Sequence, residues 1–234
     1  MAGVRKYRIL SVEPEASGIR VFKLEATEGA MAPFLPGQFV FLHILDKGKS
    51  MVKRPYSITS LPSSPYLEFI IKMVGGEMTG KLEKMKAGEV LGVEGPFGAF
   101  TYTGQKRAAF IGGGCGISPF IGILRHIADK KIDGSFMLFY SAKTREEIIY
   151  EEEFERLQKT NPGIKVVVTL TRESPQGWEG ERGRVNDVMI KKYISNPGEF
   201  DWWMCGPKDM VVGLRTSLIG MGVEAQKIRI EGWG

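Results

Sequence analysis

The sequence predicts two domains in series: an antiparallel β domain over residues 1–102 and an α/β domain built on a parallel sheet over residues 103–234. Two observations predict it. In the first part apolar residues alternate with polar ones between Gly/Pro turns, the mark of strands with one face on a core. In the second part the apolar residues stand in unbroken short runs separated by helical patterns, the mark of strands covered on both faces. The length agrees, since 234 residues make one large or two small domains with real cores.

In the first domain Tyr7–Val12 and Ile19–Leu24 alternate crudely, and Gln38–Ile44 reads as a more buried strand. Leu67, Phe69, Ile71 and Met73 fall on one face, with Glu68 and Lys72 on the other, and 89–94 adds a short strand. This spacing predicts a small closed barrel or a sandwich. One short helix, about 79–85, interrupts it. Gly95-Pro96-Phe97-Gly98 ends the domain, and residues 103–106 read as a linker.

In the second domain the strand cores are Ala108–Ile111, Phe136–Tyr140, Val166–Leu170, Trp202–Met204 and Ile228–Ile230. Helical patterns lie over Pro119–Lys130, Glu146–Lys159, Val185–Ile194 and Lys208–Met221. Ligands of such sheets bind beyond the carboxyl ends of the strands, where the strand order reverses.

Composition narrows the function. The chain is 43% hydrophobic and 25% charged, as soluble globular proteins are. No run of 18 apolar residues exists, so no membrane span is expected. The opening residues lack the apolar core of a signal peptide. Cys115 and Cys205 are too few for a disulfide framework or an iron–sulfur cluster and are expected as reduced thiols in a cytoplasmic protein. His43 and His126 are too few for a metal site, and structural roles are expected for both. The net charge of +5 points to an acidic partner. No basic stripe with interleaved aromatics suggests nucleic acid.

Three motifs carry the chemistry. Arg54-Pro55-Tyr56-Ser57 offers a guanidinium fork for phosphate. Tyr56 lies on the same strand face as Arg54, and the Ser57 hydroxyl on the other. Downstream, Gly75-Gly76-Glu77-Met78-Thr79 leads into the short helix, whose first N–H groups can hold phosphate while Thr79 caps the helix or adds a hydroxyl. The second motif, Gly112-Gly113-Gly114-Cys115-Gly116-Ile117-Ser118-Pro119, lets backbone approach a pyrophosphate, with proline tolerated in the first helical turn. The third is Cys205-Gly206-Pro207.

In this order and at these spacings the motifs resemble the ferredoxin–NADP reductase family of flavoenzymes, over nearly the whole chain. The resemblance implies a Greek-key β-barrel binding FAD, followed by a doubly wound sheet binding NADP or NAD. It implies that Arg54, Pro55, Tyr56 and Ser57 hold FAD, that Gly76, Met78 and Thr79 hold its pyrophosphate, and that Ile71 and Lys72 run along the flavin by backbone contacts. Gly113, Gly114, Gly116, Ile117, Ser118 and Pro119 then cradle the nicotinamide nucleotide's pyrophosphate. Cys205, Gly206 and Pro207 place a thiol near the nicotinamide. Lys143, Thr171, Arg172 and Arg184 match positions where NADP-using relatives carry basic or hydroxyl residues, against which stand Glu173 and Glu181. Glu231 and Trp233 match the spacing of a terminal glutamate and an aromatic residue that stacks on the flavin; with Ser57 and Cys205 they make up the expected catalytic set.

The implied activity passes electrons between NAD(P)H and a separate, acidic carrier such as a ferredoxin or flavodoxin. Two other readings stay open. One is an NADH-dependent reductase component of an oxygenase or of a cytochrome b5 reductase-like system. The other is a flavin-binding subunit without catalysis.

Overall fold

The computed structural model describes residues 3–172 and 175–233, the last of these by its backbone only. Contacts divide the chain into two units, Met1–Tyr102 with Ile121–His126 and Thr103–Phe120 with Ile127–Gly234.

The first unit is built from β1 (Arg5–Ala16), β2 (Ile19–Ala26), β3 (Phe39–Asp46), β4 (Lys49–Ser57), β5 (Leu67–Lys72) and β6 (Val90–Phe97). They form one antiparallel sheet in the order β4-β3-β6-β1-β2-β5. β3 pairs with β6 and not with β2, so neighbours in space are not neighbours in sequence, as in a Greek key. The alternation read from the sequence is the inward face. Phe22 stands opposite Phe69 and Leu24 opposite Leu67, and all four are buried. Each such side chain contributes about 1.5–3 kcal/mol on burial.

Two elements differ from expectation. β4 extends the Arg54–Ser57 motif back to Lys49. Only Val52 of its first five residues is buried, so alternation could not reveal it. It is set instead by a tight turn with Lys47 and Gly48 both at positive φ, 46° and 79°, the geometry that suits twisted hairpins. The helix α1 runs Glu77–Leu82, not 79–85, with Gly76 at its N-cap. Thr79 is therefore not the cap. It sits buried in the first turn and its hydroxyl donates to the Gly76 carbonyl at 3.5 Å.

The second unit holds β7 (Arg107–Gly113), β8 (Ser135–Ala142), β9 (Ile164–Leu170), β10 (Glu181–Arg182), β11 (Asp201–Pro207) and β12 (Ile228–Trp233). All pair in parallel, in the order β10-β9-β8-β7-β11-β12. The chain starts at β7, moves outward through β8 and β9, then returns to the other side of β7 with β11. The switch point is thus between β7 and β11.

The helices that follow β7 in the chain are α2 (Ser118–Asp129), whose residues Ile121–His126 group with the first unit, α3 (Glu151–Thr160), α4 (Asp187–Tyr193) and α5 (Lys208–Gly220). The helix expected from Glu146 starts five residues later. Residues Arg145–Glu147 make a 3-10 turn, Ile148 and Ile149 are buried, and Tyr150 at φ 61° breaks the path before α3. The α4 start is moved by a cap, since the Asn186 side chain accepts from the Met189 N–H at 2.9 Å, a bond worth about 1 kcal/mol.

Candidate functional site

In the second unit the candidate residues meet at the switch point. Parallel pairing puts Gly112 of β7 opposite Cys205 of β11, and Cys205 opposite Glu231 of β12. Beyond Gly113 the chain turns through a 3-10 segment, Gly114–Ile117, into α2. Gly114 has φ +53° and open space where a side chain would be, so its backbone is available to a ligand. Gly112, Gly113 and Gly206 serve packing. A Cβ on Gly112 would lie 3.3 Å from the Ile117 backbone, one on Gly113 2.9 Å from Met210 Sδ, and one on Gly206 would overlap Met210 Cε. The Ser118 hydroxyl donates to the Cys115 carbonyl at 2.8 Å and closes the turn. Ile117 is fully buried and Pro119 sits in the first turn of α2. An open glycine between two packed strand ends fits a nucleotide pyrophosphate.

Electrostatics at this end favour neutral forms. Burial pushes the Cys205 thiol well up, helped by the Glu231 carboxylate and then by Cys115. Burial also raises Glu231. Cys205 is therefore a protonated thiol at neutral pH, a small soft group that reacts slowly with agents in solution.

The basic residues named from the sequence converge at the far side of the same sheet. The Arg172 N–H donates to the Lys143 carbonyl and the Thr171 N–H to Ala142, both at 3.0 Å. The Thr171 hydroxyl also donates to Ala142, at 3.2 Å, so it braces the two loops. Arg184 follows Gly183, whose N–H donates to Leu170 at 2.8 Å. Lys143, Arg172 and Arg184 are all exposed. Glu181 is engaged elsewhere. Lys192 and the Tyr193 hydroxyl each donate to it at 2.5 Å, and the Lys192 bond holds its carboxyl below the usual range. Glu173 lies outside the described residues.

In the first unit Arg54, Pro55, Tyr56 and Ser57 lie on β4, an end strand of the sheet. The Arg54 side chain is exposed and one of its nitrogens donates to the Lys53 carbonyl at 2.8 Å. Tyr56 packs partly against the core, and Ser57 is half-buried. Ile71 and Lys72 lie on β5, the other end strand. Gly75, at φ +71°, has nothing within 4 Å of its Cβ position, and Gly76 only Thr79 Oγ1 at 4.0 Å. Met78 is buried beside them. A guanidinium, a half-buried aromatic ring and an open glycine turn fit a dinucleotide such as FAD.

His43 is structural. It is buried, with Nδ1 2.8 Å from Ser50 Oγ and Nε2 3.1 Å from Glu94 Oε2. Lys53 bonds the same carboxylate at 2.8 Å. Trp233 pairs by its backbone with Pro207, and its side chain lies outside the described residues.

Two family models match this chain. An oxidoreductase FAD-binding domain matches residues 7–102, and an oxidoreductase NAD-binding domain matches residues 110–216. The chain belongs to the ferredoxin–NADP reductase-like family of flavoprotein reductases.

Among curated relatives, one subunit of the Na(+)-translocating NADH-quinone reductase of Pseudoalteromonas atlantica is 25% identical over 282 residues, 99% of this chain and 68% of that protein. NADH-cytochrome b5 reductase 2 of Mycosarcoma maydis is 33% identical over 174 residues, 71% of this chain and 49% of that protein. A ferredoxin NADP+ reductase from Neisseria gonorrhoeae, solved with FAD and NADP bound, has the same fold: TM-score 0.85, 22% identity, 99% of both chains. As a member of this reductase family the chain is an NAD(P)H oxidoreductase with FAD as cofactor. No helix among the described residues is long and apolar enough to cross a membrane.

Three further residues stand at this switch point without being among the candidates. Gly112, which faces Cys205, was visible as the first glycine of the run. Cys115 is visible as the thiol inside that run. Met210, which backs both Gly113 and Gly206, gave no signal, because one methionine in a helical pattern looks like any core residue.

Proposed function

We propose that the chain takes electrons from NADPH or NADH and passes them, one at a time, to a separate electron-carrier protein such as a ferredoxin or flavodoxin. The observation that carries this reading is the meeting of the Gly112–Ile117 turn, Cys205 and Glu231 at one switch point. A subunit that merely held flavin would need none of the three. FAD, when bound, supplies the change from two-electron to one-electron transfer.

The residues do the positioning. The open backbone at Gly114 and the N–H groups of the turn hold the nucleotide pyrophosphate. Cys205, neutral and buried, packs against the nicotinamide ring without presenting a charge to it. Glu231 is a polar neighbour with its proton held more firmly than on an exposed carboxyl. In the first unit Arg54 and the Gly76–Thr79 turn hold the FAD phosphates, Tyr56 packs the flavin, and Ser57 reaches a ring nitrogen. Two reduced-type thiols suit a cytoplasmic setting.

The exposed Lys143, Arg172 and Arg184, with Glu181 engaged by Lys192 and Tyr193, favour NADPH. The names of the curated relatives favour the second reading, an NADH-dependent reductase component. The net charge of +5 favours an acidic carrier, because charge steers docking. The test is reduction of an acidic ferredoxin, a flavodoxin, a cytochrome b5 and a quinone by the purified chain, at low and at moderate salt. The reading expects the acidic carriers to be reduced fastest and to slow as salt rises. Preference for the quinone, with no salt dependence, would overturn it.

A further inference from the structure

We propose that Cys115 and Cys205 form a dithiol that a hydroperoxide converts to a reversible disulfide, and that this bond shuts the nucleotide end of the second unit. Cys205 faces Gly112 across neighbouring parallel strands, which run about 4.7–4.9 Å apart. After Gly113 the chain does not leave this spot. It coils through the 3-10 turn so tightly that the Ile117 backbone comes back within 3.3 Å of a Cβ on Gly112. Cys115 lies inside that coil, and its carbonyl is tied down by Ser118. On the other side, a Cβ on Gly206 would lie 3.3 Å from the Gly113 nitrogen, so the two chain segments are at contact distance. Disulfides need Cα atoms about 4.4–6.8 Å apart, a span this arrangement allows. The two thiols are close enough that charge on Cys115 helps hold the Cys205 proton.

The thiols are not equivalent. Cys115 is partly exposed and Cys205 is buried. Oxidation therefore begins at Cys115, as thiolate access governs it. The Cys115 sulfur attacks the peroxide, the O–O bond breaks, and the distal fragment leaves as an alcohol or as water. Cys115 is then a sulfenic acid, oxidised by two electrons. The Cys205 sulfur attacks it, the S–S bond forms as the S–O bond breaks, and the hydroxyl leaves as water with the Cys205 proton. A dithiol reductant reverses the bond by exchange. The disulfide draws the Cys115 side chain over Cys205, which denies that thiol to a nucleotide. This effect on turnover rests on the reading of Cys205 as part of the nicotinamide site; the bond itself does not.

The experiment uses the FAD-loaded chain, treated with hydrogen peroxide, then unfolded, alkylated and cut after lysine and arginine. The cysteines then fall in peptides 108–125 and 193–208. The expected result is one linked pair, lighter by two hydrogens than the separate peptides, with flavin retained, its reduction by nucleotide lost, and both reversed by dithiothreitol. Cys115→Ser should form no link. Where that variant fails to fold, the parent's capture of a trivalent arsenical, one per chain and blocked by prior peroxide, stands in for it. Sulfinic acid on Cys115 with Cys205 still open to alkylation, or links between chains only, would overturn the proposal. A chain that links but never reduced its flavin with nucleotide keeps the disulfide and sinks the functional reading. A chain that reduces flavin and does not link does the reverse.

Discussion

Cys205 and Glu231 face each other in register on neighbouring parallel strands at the carboxyl end of the second unit's sheet. Burial raises the pKa of both, and the Glu231 carboxylate makes the Cys205 thiolate harder still to reach. The pair lies where we propose that the nicotinamide ring settles.

The first consequence is chemical reactivity. In a Cys115→Ser background Cys205 should resist iodoacetamide at neutral pH, where exposed thiols react steadily, because the thiolate is the nucleophile. Adding Glu231→Gln removes the neighbouring carboxylate and should speed alkylation. Rapid labelling of Cys205 in the folded parent, unaffected by Glu231→Gln, would contradict the account.

The second consequence is a pH dependence of stability. Glu231 has a folded pKa above its unfolded one, which is about 4.3. The folded state therefore binds more protons than the unfolded state within that window, and stability falls as pH rises through it. Above the folded value the penalty is complete. Glu231→Gln escapes it, so the variant should melt higher than the parent at pH 7, and the gap should close as pH falls below about 4. A gap that widens in acid would mean the carboxylate is stabilised in the fold.

How far the sequence reached depends on whether burial was written in a local pattern. Runs such as Phe136–Tyr140 are buried from both sides, and they showed as strands at once. β10 is a two-residue strand and has no room for a pattern. Ile148–Ile149 fall in phase with the helix that follows, so the pattern alone starts that helix at Glu146. Only the left-handed Tyr150 separates them, and no residue type announces that. The glycine turn and Cys205 were legible as motifs. Their meeting with Glu231 was not, because it depends on β12 pairing with β11, a fact of strand order.

In the first unit, Arg54→Ala removes the charge-assisted bonds assigned to the FAD phosphates. These are worth about 1.5–3 kcal/mol, so FAD should bind about 10- to 150-fold more weakly. Flavin titration of the apoprotein measures this. Unchanged affinity would remove Arg54 from the site.

At the nucleotide turn, Gly114→Ala meets no neighbouring atom but must hold φ +53°. Left-handed backbone costs an alanine about 1–2 kcal/mol. The variant should lose about that much stability and bind NADP+ more weakly, while FAD affinity stays as in the parent. Weakened FAD with intact NADP+ binding would assign the turn to the wrong nucleotide.

The central claim is that this chain moves electrons from a nicotinamide nucleotide to its own FAD. The direct measurement is the flavin absorbance at about 450 nm after anaerobic mixing of the FAD-loaded chain with NADPH, repeated with NADH. The account predicts rapid bleaching, faster with NADPH. Absorbance that stays unchanged with both nucleotides would contradict it.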